Sequence, residues 1–186
     1  SKFLGILNVK YILNSNEINY SNFIFDKKIG DVYIYRNNDF LSRVYFVPSG
    51  KFVNSRVIDF MKSDEFNPRN EVILMDDLEF NLTENSSAEI EVLEISPNKN
   101  RFKVKTMGSG FLLFSDSWYP GWKAFDNGNE IEVLRANYIQ KAVFLEAGEH
   151  EIEFIFKPKL FEIGKYLSLI GVILILLIII ISIRKM

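Results

Sequence analysis

A carboxylate and three large aromatic residues crowd the segment Asp116-Ser117-Trp118-Tyr119-Pro120-Gly121-Trp122. Asp116, Trp118, Tyr119 and Trp122 could form a carbohydrate-binding platform. Aromatic faces offer apolar area with a polar tip, and a carboxylate accepts hydrogen bonds from hydroxyls. The same residues also read as packing, with Trp118 and Trp122 filling a β core and Pro120-Gly121 shaping a strand corner. Large aromatics in strands mostly pack, which favours this second reading.

Other chemistry-bearing patterns are weaker. His150 is the only histidine and the chain has no cysteine, so a zinc site would need carboxylates as its remaining ligands. The sequence therefore gives no metal site and no cofactor, and His150 reads as a surface or structural residue. One histidine among many serines defines no nucleophilic triad. Glu89, Glu91, Glu94, Glu130 and Glu132 could supply paired carboxylates for glycoside hydrolysis. Their alternation with apolar residues reads more simply as solvated strand faces. Asp126-Asn127-Gly128-Asn129 lacks calcium-loop spacing and reads as a hairpin turn. Asn81-Leu82-Thr83 and Asn85-Ser86-Ser87 match a sequon that is common by chance. No catalytic residue is assigned.

The elements around these residues are mostly strands. Phe111 to Phe114 is a continuous apolar run. Ile131 and Val133 alternate with Glu130 and Glu132, and Ile152 and Phe154 with Glu151 and Glu153, the period of half-buried strands. Gly148 opens the latter strand. Glu89 to Val92 and Arg101 to Lys105 alternate likewise, with Phe102 and Val104 inward, across a Ser96–Asn100 turn. Upstream, Lys2 to Leu7 reads as a helix end before a Val9–Leu13 strand. Asp31–Tyr35, Arg43–Val47 and Val72–Met75 read as further strands. Asn54 to Met61 reads as a helix capped by Asn54, with Val57, Ile58 and Met61 on one side. Acidic, polar 76–87 reads as a flexible crossing. The expected fold is mainly β: an antiparallel, jelly-roll-like β-sandwich over 88–158. A small α/β portion over 1–87 packs on it.

The chain of 186 residues suits one such domain plus an anchor. Its net charge of −2 and the lack of a basic arm argue against nucleic acid as a partner. Tyr166 to Ile183 is almost wholly apolar, interrupted by Ser168, Gly171 and Ser182. At helical rise it spans roughly 27 Å, close to the hydrocarbon thickness of a bilayer. We therefore expect a transmembrane helix over 160–184, with the lipid bilayer as partner. Phe161 and Tyr166 would lie at the near interface and Arg184-Lys185 at the far end. Lys157, Lys159 and Lys165 precede the span, so charge counting leaves the orientation open. The first residue is serine, and the opening segment lacks the pattern of a signal peptide. That points to a fragment whose missing N-terminal part carries further membrane spans.

Several segments together resemble the YfhO family of bacterial multipass membrane proteins. Trp118-Tyr119-Pro120-Gly121-Trp122-Lys123-Ala124 with Asp126 to Gly128 is similar to that family's "swYpGWka…dG" strand pair. Arg135-Ala136-Asn137-Tyr138 is similar to its "raNy" element. Ala147-Gly148-Glu149-His150-Glu151-Ile152-Glu153-Phe154 is similar to its "paGeHeveF" strand before a final membrane helix. Leu7 to Leu13, and Val32 to Asn37 with Leu41 to Val47, resemble its "lgVKYil" and "vYrN…LpRayfv" segments, with Ser42 where the family usually has proline. The resemblance implies an extracytoplasmic domain with a cytoplasmic C-terminus in a bacterial cell membrane. It implies an accessory role in a glycosyltransferase that uses lipid-linked sugars on cell-envelope polymers. The catalytic carboxylates would lie in the missing N-terminal membrane domain, so this chain alone would be inactive. Cell-envelope glycan or lipid-linked sugar would be the partner of the β domain. The other reading left open is a non-enzymatic, membrane-anchored surface domain for carbohydrate binding or scaffolding.

Overall fold

The computed structural model describes residues 2–184. Lys185, expected at the end of the membrane span, lies outside the described residues. The order is α1 (Lys2–Ile6), β1 (Tyr11–Asn14), β2 (Phe23–Ile29), β3 (Val32–Asn37), β4 (Val44–Val47), β5 (Ser49–Phe52), α2 (Val57–Lys62) and β6 (Glu71–Leu74). There follow β7 (Ala88–Ile95), β8 (Lys99–Thr106), β9 (Gly110–Ser117), β10 (Trp122–Asp126), β11 (Asn129–Ile131), β12 (Leu134–Ala136), β13 (Gln140–Leu145), β14 (Gly148–Phe156) and α3 (Lys159–Arg184).

Two sheets face each other. One has five strands in the order β11-β10-β14-β8-β7, the other six in the order β4-β9-β13-β12-β6-β5. All pairs are antiparallel except β5 with β6. β8 pairs with β14 in one sheet, and their chain neighbours β9 and β13 pair in the other. The ribbon made by β8–β9 against β13–β14 thus rolls from sheet to sheet, the jelly-roll arrangement expected from the strand spacing. Strands β4, β5 and β6 of the N-terminal half belong to the six-stranded sheet itself. A separate three-stranded sheet, β1-β3-β2, comes from the first 37 residues.

The six-stranded sheet is covered on both faces, which explains why Phe111 to Phe114 is continuously apolar. Leu112 and Phe114 pack with Val143, Leu145, Phe102, Val104, Ile152 and Phe154 between the sheets. Phe111 and Leu113 point the other way, into a second core with Ile6, Val57, Met61, Phe66 and Val72. Phe102, Phe114 and Phe154 are fully buried and lie ring against ring at 5.4–6.3 Å. Each such side chain contributes about 1.5–3 kcal/mol through burial. Phe102 and Val104 face inward as their alternation requires. Lys99, Arg101 and Lys105 on the opposite face pair with Glu153, Glu151 and Glu149 of β14.

Several local expectations need correction. The helix over Asn54–Met61 starts later, at Val57, and Asn54 does not cap it. Arg56 occupies the cap position in a left-handed conformation, without a side-chain cap bond. Val57 and Met61 are buried, but Ile58 is exposed, so the apolar side is narrower than expected. The Glu130–Val133 alternation is not one strand. β11 ends at Ile131, and the chain crosses to the other sheet to begin β12 at Leu134. Both Ile131 and Val133 still pack on the inter-sheet core, so the alternation reports burial correctly and strand length wrongly. The 76–87 crossing has no regular structure but is tied down. Phe80 packs edge-on against Phe111 at 5.0 Å, and Ser109 bonds Asn81, Thr83 and Ser86.

α3 has no buried side chain along its 26 residues. It is long and apolar enough to cross a membrane. A helix apolar on every face and covered by none of the other described residues is suited to a hydrocarbon surrounding.

Candidate functional site

The strand β9 delivers the site residues to one end of the sandwich. Its apolar part is locked between two cores, and beyond Phe114 the chain turns polar at Ser115, Asp116 and Ser117. The Trp118–Gly121 segment is the corner by which the chain leaves the six-stranded sheet for the five-stranded one. Gly121 has φ +117°, a conformation L side chains rarely adopt. A Cβ there would also come within 2.9 Å of Pro158. The corner therefore sits directly on the root of α3. Lys157 N–H donates to Gly121 O at 2.7 Å, and Trp122 pairs with Phe156 at the end of β14.

The four candidate residues do not share one surface. Tyr119 is exposed and, with half-buried Trp122, lines a cleft of about 800 Å³ against Lys157, Pro158 and Lys159. Their rings lie 6.3 Å and 5.2 Å from that of Phe156. Trp118 is turned to a different neighbour: the Arg135 guanidinium lies 5.7 Å from its ring and 5.3 Å from that of Tyr138. Asp116 Oδ2 accepts a hydrogen bond from Lys141 Nζ at 2.8 Å, and its Oδ1 accepts from Ser117 N–H. The expectation that both tryptophans fill the core holds in part for Trp122, which packs on the edge of the inter-sheet core, and not for Trp118. Each is half-buried at the sandwich end, and the fully buried inter-sheet core is made of phenylalanine and aliphatic side chains. The reason is positional: Trp118 lies past the last buried residue of β9, and Trp122 opens β10 two residues before buried Ala124.

Lys141 is the residue that sequence reasoning missed. It lies on β13, where its alternation with Val143 and Leu145 directs it between the sheets, and its side chain is fully buried. Its ammonium sits 3.0 Å from the Trp122 ring centroid and 4.9 Å from that of Phe114. Burial pushes its pKa down to about 8, against the upward pull of Asp116 and with a smaller downward push from Arg43. A lone lysine directly before the apolar run Ala142–Leu145 was the available signal. The cation, the ring and the carboxylate together form a fixed strut under the corner.

Other candidates resolve into structure. His150 Nδ1 lies 2.8 Å from Asp126 Oδ2, and Nε2 lies 3.1 Å from Glu146 O, so the ring bridges β14, β10 and the β13–β14 turn. Asp126 pairs with Asn129 across Asn127-Gly128, both at positive φ, the signature of a type I′ hairpin. Glu149, Glu151, Glu153 and Glu130 are each ion-paired on outer strand faces. Among the described residues no group of His, Cys, Asp and Glu could hold a metal ion.

Asn137 anchors a buried polar network in the second core. It has φ +44° and is 1% exposed. Its Oδ1 accepts from Ile73 N–H, and its Nδ2 donates to Gln140 Oε1 at 2.8 Å. Gln140 in turn donates to Ile6 O and Ser115 Oγ, and accepts from Tyr45 Oη. Burial raises the Tyr45 pKa, with its Gln140 and Asn137 hydrogen bonds pulling the other way. This network joins α1, β4, β6, β9 and β13.

No protein-family model, curated protein or solved structure matches the chain.

Proposed function

We propose that this chain is the C-terminal extracytoplasmic domain and last membrane helix of a YfhO-like bacterial membrane protein. In this reading it serves a glycosyltransferase that modifies cell-envelope polymers from lipid-linked sugars. The chemistry lies in a membrane domain outside this chain. The β domain is an accessory that holds the acceptor or donor glycan near the bilayer.

One observation carries the reading. The aromatic corner that bears the strongest resemblance is bonded to the root of the apolar helix, through Lys157 N–H to Gly121 O. Tyr119 and Trp122 therefore lie at the end of the domain from which α3 leaves, where the sugar of a lipid-linked donor would be presented. Their rings supply apolar faces to a sugar, and the cleft they line is open.

Tryptophan fluorescence of the full chain in detergent tests this against a panel of envelope glycans. The expected result is a saturable change with at least one glycan, lost in Trp122→Ala and retained in Trp118→Phe, both variants keeping the wild-type circular dichroism spectrum. Silence across the panel would sink the glycan-holding role and leave an anchored scaffold domain as the better reading.

A further inference from the structure

The cleft between the aromatic corner and the root of α3 carries a charge pattern that the glycan reading does not use. Its polar lining is dominated by Lys123, Lys157 and Lys159, with Glu130 as the one carboxylate. Glu130 is already engaged, accepting from Lys123 Nζ at 2.8 Å. The ammonium groups of Lys157 and Lys159 make no hydrogen bond or ion pair among the described residues. Two uncompensated cations therefore flank a cleft walled by Tyr119 and Trp122.

The position along the chain fixes what lies beside them. Lys159 is the first residue of α3, and the uncharged, mostly apolar stretch begins at Tyr166. At helical rise this places Lys159 about 10 Å outside the hydrocarbon edge, at or just beyond a headgroup layer some 5–8 Å thick. Lysine stems extend along apolar surface and carry the charge to the phosphate level. Leu160, which lines the cleft, and Phe161 beside it are exposed on the same turn, so the cleft adjoins apolar surface of α3. Lys165 faces the same layer but is paired with Glu162 at 2.6 Å.

We propose that this cleft binds the phosphate of an anionic bilayer lipid, with Lys157 and Lys159 as the cationic ligands and Trp122 and Tyr119 packing the glycerol region. The bound lipid fixes the domain's tilt on the membrane. The shape is built in, because the Gly121–Pro158 contact and the Lys157–Gly121 hydrogen bond hold the two walls together. The proposal rests on α3 spanning the bilayer, and is independent of which side the domain occupies and of glycan binding.

The test is native mass spectrometry of the full chain released from nanodiscs of phosphatidylcholine doped with phosphatidylglycerol. The wild type is expected to retain phosphatidylglycerol. Each lysine at the surface is worth about fivefold in affinity, so the double variant Lys157→Gln/Lys159→Gln should retain it ~25-fold less. Lys103→Gln/Lys105→Gln, with the same loss of charge on the outer sheet face, should retain it like the wild type. Equal losses in the two double variants, or no preference for phosphatidylglycerol, would overturn the proposal. So would displacement of the lipid by millimolar inorganic phosphate, which would assign the site to a soluble anion. A chain that fails to enter nanodiscs at all would instead remove the membrane-spanning premise.

Discussion

Lys141 Nζ sits 3.0 Å from the centre of the Trp122 ring, with its side chain fully buried. The lysine comes from the six-stranded sheet and the tryptophan from the five-stranded one, so the contact staples the two layers at the end nearest α3. Its third member, Asp116, is partly open to water. The strut therefore ends in a solvated carboxylate, which lets the buried cation keep its charge at neutral pH.

This relationship has a pH signature. The Lys141 pKa falls from 10.5 to about 8 in the fold. Between those values the unfolded chain binds a proton that the folded chain does not, so stability rises as pH increases through that window. The gain is on the order of a few kcal/mol, because each unit is worth about 1.36 kcal/mol. Lys141→Met keeps the stem volume and removes the titrating group. It should abolish the rise between pH 8 and 10.5. At neutral pH the relief of ammonium desolvation and the loss of the Asp116 and Trp122 contacts oppose each other, leaving stability within about 1–2 kcal/mol of wild type. Urea unfolding of the full chain in detergent across that range measures both. A retained pH slope in Lys141→Met would assign the titration elsewhere.

Asn137→Ala should destabilise the fold more than its size suggests. The substitution leaves Ile73 N–H buried and without its side-chain acceptor, and frees Gln140 Oε1 of one donor. It also places alanine at φ +44°, where asparagine is better tolerated. An orphaned buried donor costs about 1–3 kcal/mol, and the strained backbone adds to that. Asn137→Gly relieves only the backbone part and should recover a fraction of the loss. Thermal unfolding in detergent compares the three. A loss below about 0.5 kcal/mol for Asn137→Ala would show that the network is not holding the two halves of the sheet together.

What was legible in the sequence follows from which forces act locally. The strands β7, β8 and β14, the Asn127-Gly128 turn and the apolar helix were readable because period, turn chemistry and length are local properties. The inward set Phe102, Val104, Ile152 and Phe154 came with them. β2 and β5 were not readable. β2 is exposed along nearly its whole length, so Phe23 to Ile29 carries no burial period, and β5 is held by a parallel pairing to β6 across the chain. The end of β11 at Ile131 was hidden because the crossing residue Val133 keeps an inward side chain. At the candidate site, the corner and the aromatic cluster were visible. Lys141 was not, because its partners Asp116 and Trp122 come together only when the sheets close. Asn137 was visible only as part of a resembling motif, and its work is structural.

The orientation of the domain follows from the proposed function and can be read on living cells. None of these 186 residues is cysteine, so an introduced thiol is the domain's own reporter, read against the same protein without it. Met107 is 68% exposed, in the turn after β8, and β8 ends at Thr106 opposite Gly148, at the far end of β14 from Phe156 and α3. Met107→Cys changes an exposed flexible side chain and touches neither core. In intact bacteria expressing the complete protein, a membrane-impermeant maleimide should label this thiol without lysis. Labelling only after lysis would place the β domain in the cytoplasm and end its assignment to envelope polymers. The lipid-phosphate site at Lys157 and Lys159 would survive that outcome, because both leaflets present phosphate to the root of the helix.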